Sequence, residues 1–205
     1  MLPAWCIVFA IALRLGGGLQ YAWGVVKGRA RPNPVTWFLW GFTSMVAFAA
    51  QLQEGVGLSA FGTFALGLSP LLVFTVSVIK NRRVSHLTPF TIACATCTFV
   101  GIILWQITSN ASLAILFSII ADIFAGLPTI VKAYSDPSSE YNRPYLISII
   151  STVIIILTIH SFTFAALAFP LYMFLTNVMF FTLATIPLRQ KVQGYWRRID
   201  DSMAE

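Results

Sequence analysis

Long apolar runs, separated by short polar segments, dominate the chain. Four of these runs contain no Asp, Glu, Lys or Arg, and they cover 32–53, 55–79, 84–121 and 144–188. A helix needs about 20 apolar residues to cross a bilayer, so each of the first two runs has room for one membrane span and each of the last two for two spans. The pattern therefore predicts an all-α integral membrane protein.

The N-terminal segment adds one further span and brings the predicted number of membrane helices to seven. It has no basic leader and no small-residue cleavage site, and it contains Arg14, so we expect a retained helix and not a signal peptide. The loops are too short for a soluble domain, and residues 1–205 are predicted to form a single membrane domain. The predicted spans are 3–26, 35–52, 59–79, 87–107, 111–133, 144–159 and 165–188.

Composition and charge support the same interpretation. Hydrophobic residues make up 58% of the chain and charged residues 10%, with a mean hydropathy of +0.81, whereas typical soluble domains have about 25% charged residues. The net charge of +6 does not indicate nucleic-acid binding, because the basic residues occupy alternate loops and the C-terminal tail. By the positive-inside rule the N-terminus is predicted to lie outside and the C-terminus in the cytoplasm. The basic residues on the predicted cytoplasmic side are Lys27, Arg29, Arg31, Lys80, Arg82, Arg83, Lys132, Arg143, Arg189, Lys191, Arg197 and Arg198.

An internal repeat relates the two halves of the chain. Residues 14–20 align with residues 122–128 at an offset of 108, and the second helix of each half is predicted to begin at a proline, Pro34 or Pro144, at an offset of 110. Proline is compatible with the first position of a helix. The alternative is that apolar helices align through their composition alone.

The repeat predicts two parallel three-helix bundles joined by a linker helix, a 3+1+3 architecture. A unit of three spans repeated directly would be inverted, and the linker helix restores its orientation. Transporters with parallel repeats bind substrate near the bilayer midplane, at the repeat interface. The predicted units are a first three-helix repeat over 1–83, a linker helix over 84–108, a second three-helix repeat over 109–191 and a cytoplasmic tail over 192–205.

A Gly-Leu-Pro-Thr turn at residues 126–129, together with the 3+1+3 plan and the predicted topology, resembles the PQ-loop superfamily. That superfamily includes the SWEET-type sugar transporters and the lysosomal exporters of cystine and cationic amino acids. The Pro-Gln dipeptide of the family corresponds to Pro128-Thr129 in the second half, and Leu19-Gln20 keeps only the glutamine in the first half. The stretches around residues 31–41 and 126–140 are similar to small bacterial membrane proteins, so we expect a bacterial inner membrane.

The resemblance implies that the proline lets the first helix of each bundle bend during transport. Pro128 lacks an N–H and clashes with the carbonyl group four residues earlier, which kinks a helix. Gly126 loosens the same turn, and we name Gly18 and Pro70 as hinge candidates of the first half. The alternative for Pro128 is a fixed kink, which membrane helices tolerate.

Arg14 and Asp122 are the two charged residues predicted near the middle of the membrane. A charge at that depth costs on the order of 3 kcal/mol, which favours a partner or a polar cavity. Because the two residues occupy equivalent positions in the repeat, we predict an ion pair that lines a central cavity. Such a pair is either a static latch between the halves or part of a transport site, in which Asp122 binds a proton or an amine and Arg14 binds a carboxylate.

Further polar and aromatic residues are candidates for contacts with a substrate. Asn177 resembles the asparagine with which SWEET-type transporters bind substrate, and the alternative is an interhelical hydrogen bond of about 1 kcal/mol. Trp40 is either an aromatic anchor at the membrane interface or a stacking surface for a ring-shaped substrate. Ser69, the repeat counterpart of Asn177, and Gln20 complete the set.

No pattern of residues indicates an enzyme. The sequence has no nucleophile–base arrangement, no phosphate-binding glycine loop and no metal-ligand cluster, so neither a cofactor nor a metal is expected. Cys94 and Cys97 lie on one helical face and are interpreted as small packing residues.

The predicted function is the transport of a small sugar-, amino-acid- or nucleoside-like solute by alternating access. The expected partners are this solute and the lipid bilayer, with no nucleic acid, and a homo-oligomer is compatible with the pattern. The alternatives are a non-transporting receptor or assembly protein on the same fold, and uptake of a vitamin precursor such as nicotinamide riboside. A cavity lined by Arg14, Asp122 and Asn177 would favour transport.

Overall fold

The computed structural model describes residues 2–3, 5–81, 88–108 and 110–186, and these residues form α-helices joined by short loops. No strand occurs among them. Two single-turn 3₁₀ helices, Gly57–Ser59 and Pro137–Ser139, lie in the loops. The α-helices are α1 (Cys6–Val26), α2 (Pro34–Gln53), α3 (Ala60–Asn81), α4 (Pro89–Thr108), α5 (Ala111–Ser135), α6 (Asn142–Leu157) and α7 (Phe164–Thr185).

Five of these helices, α1, α2, α3, α5 and α7, are long and apolar enough to cross a membrane. The helix α6 is also apolar but has only 16 residues. The prediction of an all-α fold is therefore confirmed for the described residues, and five of the helices are compatible with membrane crossing by length and composition. The count of seven spans stays a prediction.

The outer surface is rich in large apolar side chains, and several small polar side chains are completely buried. Large apolar side chains such as Ile79 and Leu175 are exposed, whereas Thr43, Ser77 and Ser151 are completely buried. Soluble proteins bury their large aliphatic residues and expose most serines and threonines. This distribution suits a helical protein whose outer surface faces lipid.

Local sequence signals fix where several helices begin. The side chain of Asn33 accepts a hydrogen bond from the backbone N–H of Val35, and Pro34 occupies the first position of α2, as the sequence predicts. The helix α6 begins at Asn142, two residues before the predicted start, so Pro144 lies inside the first turn. Proline is tolerated there because the N–H groups of a first turn have no partner within the helix.

The helices pack in a ring around a central axis. The helix α3 packs against both α1 and α2, and α7 packs against both α5 and α6. These two groups of three meet where α2 packs on α5 and where α1 packs on α6. The ring order is therefore α1, α3, α2, α5, α7, α6, and α4 packs mainly against α5.

The two groups of three helices have the same internal order, which is compatible with the predicted repeat. The boundaries at residues 83, 108 and 191 stay a prediction. Residues 82–87 and 187–205 lie outside the described residues, and with them lie six of the basic residues and the predicted tail.

Basic residues at the ends of helices and in the loop after α1 come together at one end of the ring, which we call the basic end. Lys27 and Arg31 follow α1, Lys80 ends α3, and Lys132 and Arg143 flank the loop after α5. The ammonium group of Lys80 donates to the carbonyl group of Val25 at 2.6 Å, which stabilises the C-terminus of α1. Glu54 and His160 lie in the loops at the opposite end. Which end faces the cytoplasm stays a prediction.

Candidate functional site

A narrow cavity lies on the axis of the ring, between the two groups of three helices. Its free volume is about 40 Å³, enough for a few water molecules and far below the ~300–1,000 Å³ of typical ligand pockets. The cavity is therefore too small for an organic solute in this conformation. Every helix of the ring contributes a side chain to its wall, namely Arg14, Trp40, Ser69, Asp122, Ser148 and Asn177.

Asp122 is completely buried, and hydroxyl groups satisfy both of its carboxyl oxygens. Thr43 lies 2.5 Å from Oδ1, and the hydroxyl group of Tyr172 lies 2.8 Å from Oδ2. The indole N–H of Trp40 donates to the backbone carbonyl group of Asp122 at 3.2 Å. Asp122 thus connects α5 with α2 and α7, and its carboxyl group has hydroxyl partners but no direct ionic partner among the described residues.

Arg14 is also buried, and its guanidinium group has fewer partners than it has donors. One terminal nitrogen donates to the hydroxyl oxygen of Ser148, which in turn donates to the carbonyl group of Pro144. The Nε atom has no hydrogen-bond partner among the described residues. A guanidinium group carries five N–H donors, so Arg14 can bind a further acceptor from the cavity.

The predicted ion pair between Arg14 and Asp122 is wrong as a direct contact. Among the described residues, ion pairs within 4.0 Å join only Arg31 to Asp136 and Lys132 to Glu140. The reason is the ring order: α1 packs on α3 and α6, whereas α5 packs on α2, α4 and α7. The two charges occupy equivalent positions on helices that do not adjoin, and the cavity separates them.

Asn177 and Ser69 line the cavity as predicted, but they make different contacts from those expected. The amide group of Asn177 donates to the carbonyl group of Met173 within α7, at 2.7 Å, and not to another helix. Ser69 packs directly on Gly18, where an added Cβ atom would lie 2.2 Å from the Ser69 hydroxyl oxygen. Gly18 therefore allows the close approach of α1 and α3.

Gln20 is absent from the cavity wall. Gly17, Gly18 and Tyr21, which lie three, four and seven residues after Arg14, share its helical face and line the cavity. Gln20 follows Arg14 by six residues and lies on another face of α1. Its side-chain oxygen is buried without a hydrogen-bond partner among the described residues, so its predicted role in the cavity is not supported.

Five aromatic rings close the cavity toward the basic end, and we call them the aromatic collar. Adjacent ring centroids around this closed circuit lie 4.4 to 6.0 Å apart. All five side chains are buried and line the cavity, so Trp40 is not an interface anchor. The collar consists of Tyr21, Trp37, Trp40, Phe180 and Tyr145.

Glu140 lies directly behind the collar, and sequence reasoning missed it. Its side chain is 0% exposed, and one carboxylate oxygen accepts hydrogen bonds from Tyr21 at 2.7 Å and Tyr145 at 2.8 Å. The other oxygen forms an ion pair with Lys132 at 2.7 Å. An acidic residue in a polar loop looks solvated in the sequence, and no local signal marks it as buried.

The hinge candidates of α5 lie between the cavity and the basic end. The helix continues without interruption from Ala111 to Ser135 and includes Pro128. Gly126 faces Trp40, because an added Cβ atom would lie 3.3 Å from the indole ring. Pro70 lines the cavity on α3. A bending role for these residues stays a prediction.

In the part of the chain that the structure describes, no group of three or more His, Cys, Asp or Glu residues could hold a metal ion. The side chains of Cys94 and Cys97 lie outside that part.

Comparisons with protein-family models, with curated proteins and with solved structures found no match for this chain. The resemblance to the PQ-loop superfamily therefore stays a prediction.

Proposed function

We propose that this chain is a small-solute transporter that works by alternating access, with a pathway through the central cavity. The observation that supports the proposal is the pair of buried charged residues, Arg14 and Asp122, which line one cavity without contacting each other. A buried charge is unfavourable unless it is paired. A static latch would bring the two groups into contact, so their separation across a cavity favours a transport site.

The proposal includes the seven-span plan with α4 as the linker helix, the PQ-loop-like arrangement and a bacterial inner membrane with the basic end in the cytoplasm. The equal order of helices in the two groups of three supports the plan, since alternating access requires two units that move against each other. The cavity lies where these units meet, and it must widen to admit a solute.

The donors and acceptors around the cavity favour a solute with an acidic group. The guanidinium group of Arg14 lines the cavity and uses only part of its donors, so it suits a carboxylate group. Asp122 is the acceptor for an amine or a proton, and the aromatic collar provides an apolar surface that accommodates a ring. An amino-acid-like solute combines these features better than a neutral sugar does.

Solute counterflow into proteoliposomes, with and without a pH gradient, tests the proposal. The panel consists of sugars, nucleosides and amino acids, and each amino acid is compared with its carboxamide. We expect counterflow of an amino acid but not of its carboxamide, and we expect Arg14→Gln to abolish it. Arg143→Gln removes the same charge from an exposed position and serves as the matched control.

Counterflow of none of these solutes by folded protein would overturn the transport proposal. Solute binding without counterflow would instead favour a membrane receptor or an assembly protein. Counterflow of a neutral sugar or nucleoside that Arg14→Gln leaves unchanged would contradict the acidic-solute assignment alone.

A further inference from the structure

The aromatic collar is tied to a loop through the hydroxyl groups of its two tyrosines. Tyr21 belongs to α1 and Tyr145 to α6, and both donate to the same carboxylate oxygen of Glu140. Because α1 and α6 belong to different groups of three helices, Glu140 joins the two groups at the basic end of the cavity. The remaining collar members, Trp37, Trp40 and Phe180, have no hydroxyl group.

A second layer of contacts lies outside the collar, where the loop after α1 meets the loop after α5. Lys132, the ionic partner of Glu140, also donates to the carbonyl group of Arg31 at 2.5 Å. The backbone N–H of Arg31 donates to the carbonyl group of Ser139 at 3.1 Å, and its guanidinium group pairs with Asp136 at 2.9 Å. Each contact of Arg31 joins the two halves of the chain.

The burial of Glu140 makes this arrangement cooperative. A carboxylate is unfavourable in a dry environment unless several partners satisfy it. Glu140 has three partners: the hydroxyl donors of Tyr21 and Tyr145, and the ammonium group of Lys132 as its ionic partner. Removal of one donor leaves a buried charge with fewer partners, whereas withdrawal of the whole loop returns it to water. The conformation with the loop in place and the conformation with the loop fully withdrawn are therefore more stable than those in which Glu140 is buried with only some of its partners.

We propose that Glu140 is the latch of a gate that closes the central cavity at the basic end. Opening toward that end requires the α5–α6 loop to withdraw Glu140 from Tyr21 and Tyr145, which frees the collar to part between α1 and α6. The role of this gate in solute release rests on the proposed transport function. The closure itself depends only on the contacts of Glu140.

Cysteine accessibility in detergent-solubilised protein tests the latch without a transport assay. Cys6, Cys94 and Cys97 are replaced by serine, and Asn177→Cys places one reporter thiol at a buried position in the cavity wall. The rate of its reaction with a water-soluble maleimide reports how often the cavity opens. Thermal unfolding and gel filtration establish that each variant is folded.

Two variants break the latch in different ways. Glu140→Ala removes the acceptor, and the double variant Tyr21→Phe with Tyr145→Phe removes both donors but keeps the collar rings. We expect labelling to accelerate about tenfold or more in each, as the loss of charge-assisted hydrogen bonds shifts the gate toward its open form. Asp136→Asn breaks the exposed ion pair of the same loop and is the matched control, with an expected change of less than about twofold.

The outcomes separate the latch from the transport function. Unchanged labelling in the folded double-phenylalanine variant would overturn the latch even if Glu140→Ala fails to fold and even if the wild type transports solute. Equal acceleration in Asp136→Asn would overturn it as well, because the whole loop and not Glu140 would then hold the gate. Faster labelling in the latch variants of a protein that transports no solute would support the latch and contradict the transport proposal.

Discussion

Arg14 and Asp122 lie across one cavity, and hydroxyl groups hold each of them. Their position in the wall of one interior cavity could be predicted, because a charge in an apolar run has few acceptable environments. Their partners could not be predicted, since Ser148, Thr43 and Tyr172 are common residues whose positions depend on how the helices pack.

Double-mutant cycles measure which of these contacts couples energetically. The single variants are Asp122→Ala, Tyr172→Phe and Arg14→Gln. The double variants combine Asp122→Ala with Tyr172→Phe or with Arg14→Gln. Because Asp122 and Tyr172 share a direct hydrogen bond, we expect a coupling of about 0.5–3 kcal/mol in the free energy of unfolding for that pair. Arg14 and Asp122 share no hydrogen bond and interact only through their charges across the cavity, so we expect a smaller coupling for that pair. A larger coupling for the second pair than for the first would favour an ion pair after all.

Neighbouring glycines of α1 provide a matched test of helix packing. We expect Gly18→Ala to destabilise the protein by about 1–3 kcal/mol, because the added methyl group overlaps the Ser69 side chain. Gly16→Ala meets no atom within 4 Å, and we expect it to be neutral or slightly stabilising. Thermal unfolding in detergent compares the two variants.

A second substitution verifies the cause of the Gly18 effect. Ser69→Gly removes the two atoms closest to the new methyl group, the Ser69 Oγ and Cβ atoms, so it should restore much of the stability lost in Gly18→Ala. Equal stabilities for Gly16→Ala and Gly18→Ala would contradict the close approach of α1 and α3.

At the scale of single elements, α5 links the cavity with the latch. Asp122 lies in the cavity wall, and Gly126 faces Trp40. Lys132, ten residues after Asp122, pairs with Glu140. Pro128 lies between these contacts, where it weakens the helix by removing one hydrogen bond. A bend at this position would move Lys132 relative to Asp122, and it could therefore change the cavity and the latch together.

Replacement of Pro128 tests this connection. Pro128→Ala allows the missing backbone hydrogen bond to form and stiffens α5, so we expect solute counterflow to slow several-fold while solute binding stays unchanged. Pro170→Ala changes another proline inside a helix, in α7, and serves as the comparison. Wild-type counterflow in Pro128→Ala would contradict the hinge and leave a fixed kink.

At the scale of the whole molecule, the basic loops gather at one end of the ring, and the predicted topology places that end in the cytoplasm. In a background without the three native cysteines, we expect Lys27→Cys to react with a membrane-impermeant maleimide only in inside-out vesicles. His160→Cys, from the opposite end, should react in right-side-out vesicles. The reverse labelling pattern would invert the topology and place the Glu140 gate on the outer side.

The sequence by itself determined the apolar, helical character of the chain, the start of α2 at Pro34 and the presence of charged residues in the middle of apolar helices. Each of these features depends on local composition or on the chemistry of one residue. Lipid requires a helix to satisfy its own backbone hydrogen bonds, and this requirement is the same wherever the helix lies in the fold. The tertiary structure alone decided that Arg14 and Asp122 face each other across a cavity, that Gln20 lies away from it, and which rings form the collar. It also decided that Glu140 is buried. These features require side chains from helices far apart in sequence, and only the ring order brings those helices together.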